Sequence, residues 1–212
     1  MLSLRDITMG WDDQPPLLTS FSLTIQKGEI AVLQGPSGCG KSTLLSVIAG
    51  TQSPHLKVTG DISLAGRALT GVAVENRQIG LLFQEALLFP HMSVGDNIGF
   101  GLPQGISRRI RQEQIEHALV IAGLSDFSDR DPASLSGGQK ARVAMMRAML
   151  SRPDALLMDE SFAALDPALR QQFGQFVADQ VKAHDIPALL ISHHEDDKAF
   201  ATGPVIEWPA SG

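Results

Sequence analysis

Nine residues, Gly35-Pro36-Ser37-Gly38-Cys39-Gly40-Lys41-Ser42-Thr43, stand between an apolar strand-like run, Ile30-Ala-Val-Leu33, and a helical pattern over residues 44–49. A glycine-rich turn joining a strand to a helix is the setting of a phosphate-binding loop. The glycines free the backbone for left-handed and crowded dihedrals, so successive N–H groups can converge on phosphate oxygens. The helix start near Gly40 adds the positive end of its dipole. Lys41 supplies a point charge for the β- and γ-phosphates, and the Ser42 hydroxyl suits Mg²⁺, which keeps much of its shell as water and phosphate oxygen. These residues identify a nucleoside-triphosphate binder and leave its task open.

The 212 residues suffice for one large domain or two small ones with a substantial core, and an apolar content of 43% fits a globular protein. With a net charge of −6 and no dense Lys/Arg block, the composition argues against a nucleic-acid partner. The single cysteine excludes an internal disulfide framework and a cysteine-rich zinc site, and agrees with a reducing compartment. No secretory signal is expected from the amino terminus, and no run approaches the roughly 18 to 20 apolar residues of a membrane span. Any membrane role is therefore expected to come through a partner.

Residues 1–33 alternate as antiparallel strands do, in Leu2-Ser-Leu-Arg-Asp-Ile7 and Phe21-Ser-Leu-Thr-Ile25, with turns at Asp12-Asp13 and Lys27-Gly28. Residues 60–66 read as a further hairpin strand, and the continuously apolar Gln78–Phe83 as a buried one. Ser107–Ala122 has the pattern of an amphipathic helix within a helical stretch, and residues 141–150 that of a buried helix. A strand follows at Ala155–Met158, then a helix capped by Asp166-Pro167 with Leu169, Phe173, Phe176, Val177 and Val181 on one face, then a strand over residues 186–192. Residues 210–212 read as a loose tail.

Two further constellations carry chemistry. Asp159-Glu160 ends an apolar strand, where alternation would point the two carboxylates apart: Asp159 toward a metal shell beside the phosphate loop, Glu160 toward the attacking water. Leu135-Ser136-Gly137-Gly138-Gln139 places two glycines before the buried helix, a second anion-binding helix start. Alone it is compatible with an ordinary glycine turn. Taken in order, Trp11, the phosphate loop, Gln84, residues 135–139, Asp159-Glu160, Ala163-Ala-Leu-Asp166 and His193 make the chain resemble the ATP-binding cassette (ABC) ATPases over nearly its whole length.

The resemblance implies an α/β fold: a P-loop NTPase core with a mixed central sheet, an N-terminal antiparallel β-subdomain and an inserted α-helical subdomain. It divides one ABC ATPase domain, 1–212, into a core (1–84 and 152–212) and a helical part (85–151). ATP and Mg²⁺ are the implied cofactors. Residues Gly35 to Thr43 would hold the phosphates, with Lys41 and Thr43 in contact and Ser42 and Gln84 on Mg²⁺. Asp159 would be an outer metal partner, Glu160 the group polarising water, and His193 a hydrogen-bond donor to the γ-phosphate. Trp11 sits where the family has an aromatic stacked on adenine, a surface-packing tryptophan being the alternative. In such proteins two copies close head to tail, so that Ser136, Gly137, Gly138 and Gln139 of one face the nucleotide of the other, and Asp166 relays between the sites.

Within the family, residues 78–102 look like the segment of bacterial importer ATPases that receives a membrane-domain helix, with Leu87, Leu88 and Phe89 either at that contact or in the subdomain core. The closest impression is the group serving thiamine, iron and inorganic anions. The implied partners are a second copy, two integral membrane permease subunits and an extracytoplasmic solute-binding protein; the implied place is the cytoplasmic face of the inner membrane. Compact exporter or lipoprotein-release ATPases are the rival, and soluble relatives acting on DNA or ribosomes a more distant one. Three departures stand out: Ser161 replaces a usual proline, loosening the turn that aims Glu160; Lys140 replaces a more frequent arginine; and the carboxy-terminal regulatory barrel of several importers is not expected here. His193-His194-Glu195-Asp196-Asp197 has the donors of a zinc site, but adjacent residues at a strand end are expected to diverge, with the acids as a solvated helix start.

Overall fold

The computed structural model describes residues 1–209; the tail expected at residues 210–212 lies outside the described residues. Along the chain come strands β1 (Leu2–Gly10), β2 (Leu18–Ile25) and β3 (Ile30–Gln34), helix α1 (Lys41–Ala49), strands β4 (Lys57–Leu64), β5 (Arg67–Ala68) and β6 (Ile79–Leu82), helices α2 (Val94–Gly99), α3 (Arg108–Ala122) and α4 (Gly137–Leu150), strand β7 (Ala155–Asp159), helix α5 (Pro167–Ala183), and strands β8 (Ala188–Ser192) and β9 (Val205–Glu207). The antiparallel and parallel pairings segregate into two sheets. One is antiparallel with order β2-β1-β4-β5, the other parallel with order β6-β7-β8-β3-β9.

The continuous apolar runs of β3, β7 and β8 follow from burial on both faces. Ile30, Val32, Leu156, Met158, Ala188 and Leu190 join the core made with α2 to α5. Their neighbours Ala31, Leu33, Ala155, Leu157, Leu189 and Ile191 face the other way, toward α1 and the antiparallel sheet. Alternation along each strand thus feeds two cores from one sheet. β6 departs from the expectation of a fully buried strand: it is the sheet's edge, and Ile79 and Leu81 are only partly covered.

Helix starts follow the capping chemistry. Ser107 and Asp166 accept the N–H groups of Ile110 and Leu169, and Pro167 takes the first turn of α5. Gly137 and Gly138 lie inside α4 rather than ahead of it, because Ser136 is the N-cap and forms a reciprocal capping box with Gln139.

Register then determines where the chemistry collects. Gln34 at the end of β3 pairs with Ser192 at the end of β8, and Asp159 at the end of β7 pairs with Ile191. The loops that follow, carrying residues 35–40, Glu160 and His193, leave the parallel sheet from the same edge, the carboxyl ends of its strands.

Candidate functional site

The phosphate loop bends into α1 through Gly40, whose φ of 112° is a conformation that side chains rarely adopt. Lys41 opens the helix with its side chain folded back into the loop: the ammonium donates to Gly35 O at 2.8 Å and Pro36 O at 2.7 Å, and lies 3.8 Å from Cys39 Sγ. With the residue only 4% exposed, these carbonyls are what make a buried charge tolerable. Ser42 follows on the open side.

Ser42 Oγ donates to Asp159 Oδ1 at 2.9 Å, tying α1 to the end of β7. Burial raises the Asp159 pKa above the ordinary carboxylate range; the Ser42 hydrogen bond opposes this, the neighbouring Glu160 charge adds to it, and Lys41 opposes it. A hydroxyl and a carboxylate brought together at the mouth of a phosphate loop form an all-oxygen donor pair suited to a small hard cation such as Mg²⁺.

Glu160 does not continue the strand. Its φ is 48°, its N–H donates to Ile191 O and its carbonyl accepts from Ala163 N. This left-handed residue, rather than strand alternation, sets the Glu160 direction, and both carboxylates end beside the phosphate loop. Glu160 Oε1 lies 3.1 Å from His193 Nδ1. Ser161 is buried, and among the described residues its hydroxyl has no partner, so the residue that replaces proline is held by packing.

The expectation for residues 193–197 needs correction on two points. The rings of His193 and His194 do not diverge; their centroids are 4.1 Å apart. Asp197 is not solvated but buried, accepting the Ser192 hydroxyl at 2.5 Å, while Ser192 Oγ also accepts the His194 N–H and Gln34 Nε2 donates to His194 O. These contacts tie down the turn that carries His193. Glu195 and Asp196 are exposed, as expected.

A cleft of about 220 Å³ gathers Trp11, Leu17, Gly38, Gly40, Lys41, Ser42, Thr43 and Glu160. Trp11 thus lies on the wall of the phosphate-loop cleft. Gln84 and Gly137 lie instead on the wall of a second, more apolar cleft of about 570 Å³, together with Leu87, Ala141, Leu165 and Phe173. Ser136 and Gln139 are engaged in the cap of α4, Gly138 is buried in that helix's first turn against Leu169, and Asp166 caps α5. Cys39 is partly exposed on the loop, with Pro36 and Ser37 on its outer side. The chain therefore brings Trp11, Gly38 and residues 40–43 into one cleft and leaves residues 136–139 outside it.

Residues 18–163 match the ABC transporter family. The chain belongs to that family. It is 42% identical to an uncharacterised ABC transporter ATP-binding protein, YnjD, of Escherichia coli K12, over 93% of this chain and 90% of that protein. The thiamine import ATP-binding protein ThiQ of Shigella boydii is 39% identical over 97% of this chain and 87% of its own length. An Fe(3+) ions import ATP-binding protein, FbpC 1, of Haemophilus influenzae is 38% identical over 94% of this chain; there the chain spans 60% of the relative's length. Among solved structures, cbiO1 of Clostridium perfringens, part of the ABC transporter complex cbiONQ, superposes with a TM-score of 0.86 at 25% identity, covering 97% of this chain and 83% of that one. The ATP-binding cassette MJ0796, a dimer in a post-hydrolysis state with ADP and Pi, gives 0.79 at 25% identity, covering 98% and 94%. The chain is accordingly an ABC ATPase that binds and hydrolyses ATP.

Two residues that matter to this ABC ATPase site carried no motif signal. Arg77 is buried and donates to Val47 O at 2.9 Å and Ile48 O at 2.7 Å, at the far end of α1. Trp208 lies beneath the phosphate loop, packed on Gly35. An arginine just before an apolar strand, and a tryptophan after the short run Val205-Ile206-Glu207, were the only hints.

Proposed function

We propose that this chain is the ATP-hydrolysing subunit of a bacterial ABC importer. The observation that carries the reading is its near-full-length likeness to the thiamine import protein of Shigella boydii, alongside iron and polyamine import proteins. Thiamine or a thiamine-like solute is the first candidate cargo. Two membrane permease subunits hold the chain at the cytoplasmic face of the inner membrane, and an extracytoplasmic solute-binding protein delivers the cargo to them. Exposed Leu87, together with Phe83 and Phe100, offers apolar surface to a membrane-subunit helix, while Leu88 turns into the core and Phe89 packs on Phe100. The helical stretch 85–151 passes the motion between the two.

In the ATP-bound state the α1 N-terminus and Lys41 take the phosphates, Lys41 exchanging loop carbonyls for phosphate oxygens. Trp11 stacks on the adenine. Ser42 and Asp159, with Gln84 brought in by closure, would hold Mg²⁺, which would supply positive charge to offset that of the phosphates. Glu160 accepts a proton from water as the water oxygen bonds to the γ-phosphorus and the bond to the bridging oxygen of ADP breaks. His193, oriented through Glu160, donates to the γ-phosphate. Ser136, Gly137, Gly138 and Gln139 of a second copy close the site head to tail, and Asp166 links the two sites.

Replacing Glu160 with Gln tests this directly. Turnover falls by about 100-fold or more, because the general base is lost, and ATP accumulates in a dimer seen by light scattering. Unchanged hydrolysis with a persistent monomer would overturn the mechanism. Recovery of the trapped dimer with permease subunits from membranes supports the importer; recovery with exporter subunits, DNA or ribosomes sinks it.

A further inference from the structure

The phosphate loop rests on an aromatic ring that takes no part in the chemistry. β9 pairs in parallel with β3 so that Glu207 stands opposite Gln34, and the next residue, Trp208, donates its N–H to Gln34 O at 2.5 Å. Trp208 is therefore set at the level where β3 gives way to the loop. Its side chain is almost fully buried, at 7% exposure. A Cβ on Gly35 would come 2.6 Å from Trp208 Cβ, and one on Gly40 would come 3.2 Å from Trp208 Cζ2. One indole thus spans both ends of the loop, with Leu17 beside it at Gly40. Among the described residues its Nε1 has no hydrogen-bond partner, so the contacts that place the ring there are those of packing.

We propose that Trp208 is a positioning residue: the indole sets the curvature of the phosphate loop between Gly35 and Gly40, and through it the affinity for ATP, without touching the nucleotide. The route is short. Lys41 Nζ is fixed by the carbonyls of Gly35 and Pro36, so a shift of Gly35 moves both the loop amides and the ammonium. Loop amides must converge on one phosphate group, and small misplacements of such donors weaken binding steeply. Gly35 and Gly40 are then required for the close approach of the ring as well as for backbone freedom.

Because the proposal rests on the loop being the ATP site, its test includes a readout that needs no nucleotide. Cys39 is the chain's one cysteine and lies on the loop, so its rate of labelling by N-ethylmaleimide reports loop geometry at a single atom. Leucine at 208 keeps bulk beneath Gly35 and cannot reach Gly40; phenylalanine keeps a ring. W208L is expected to change the nucleotide-free labelling rate about fivefold or more and raise KM for ATP roughly tenfold, with kcat at saturation within about threefold, while W208F stays within about twofold of the parent. A lower melting temperature with parental labelling and KM would make Trp208 merely structural and overturn the proposal. Should W208L fail to fold, W208M takes over, read by the same nucleotide-free labelling rate and KM for ATP; parental values of both overturn the proposal. If the loop were not the ATP site, ATP would fail to protect Cys39 in the parent while the W208L effect on labelling persisted, so the two failures are distinguishable.

Discussion

Asp159 sits where burial and a neighbouring carboxylate both oppose its ionisation, and only the Ser42 hydroxyl and the Lys41 charge support it. Its pKa is therefore raised on folding, chiefly by burial. The folded chain holds this proton more tightly than the unfolded chain does. The resulting stabilisation is complete below the unfolded carboxylate value of about 4 and is lost as pH rises through the higher folded value. Without nucleotide or Mg²⁺, this group makes the melting temperature decline from about pH 4 upward. Replacing Asp159 with Asn removes that component, giving a flatter pH profile and a higher melting temperature at pH 7. Parallel profiles for the two proteins, from melts at a series of pH values, would refute the assignment. A group that destabilises the empty fold at neutral pH is suited to a ligand that brings its own positive charge, so ATPase activity is lost in the same variant.

At the scale of an element, α1 is held at both ends by opposite electrostatics. Its N-terminus follows the phosphate loop, and its C-terminus meets the Arg77 guanidinium, which donates to Val47 O and Ile48 O and, through Nε, to Val72 O at 2.9 Å. A cation at the negative end of the dipole complements the anion site at the other. Gly50 leaves room for it, since a Cβ there would lie 2.5 Å from Arg77 Nε. Arg77→Ala is expected to cost about 3 kcal/mol, because buried carbonyls lose charged donors, and Arg77→Lys about half as much, because the charge stays and the fork goes. Urea unfolding of the three proteins checks this; equal midpoints would mean the clamp contributes nothing. The strand, loop and start of α1 were legible because glycine spacing and apolar periodicity are local signals. So was the cap at Asp166-Pro167. Arg77 was not, since its partners on α1 lie 29 and 30 residues away. β6 was misjudged for a related reason: apolar composition says that a strand is covered, and not how many neighbours it has. The left-handed turn at Glu160 and the ring of Trp208 likewise depend on contacts made only when β7, β8 and β9 are assembled.

At the scale of the molecule, the residues proposed for the ATP site are divided. Lys41 and Glu160 share one cleft, whereas Ser136 caps a helix outside its lining. If the closed site takes its phosphate loop from one copy and residues 136–139 from the other, two different defects complement each other. Chains with Lys41→Ala keep an intact 136–139 segment, and chains with Ser136→Arg keep an intact loop. Each alone is inactive, because both sites of a symmetric dimer carry the same lesion. In an equimolar mixture half of the dimers are mixed, and each mixed dimer has one site with both lesions and one with neither. About a quarter of the parental ATPase activity should therefore return on mixing, provided the copies exchange freely and the sites act independently. Coupling between the sites would lower that figure without abolishing it. No recovery, with mixed dimers demonstrated by tagged copies, would mean that each chain completes its own site. Since Ser136 also closes the capping box of α4, Ser136→Arg loses about 1 kcal/mol of stability as well. The control is Ser136→Thr, which retains the capping oxygen and so separates the cost to the helix from the loss of the partner's site.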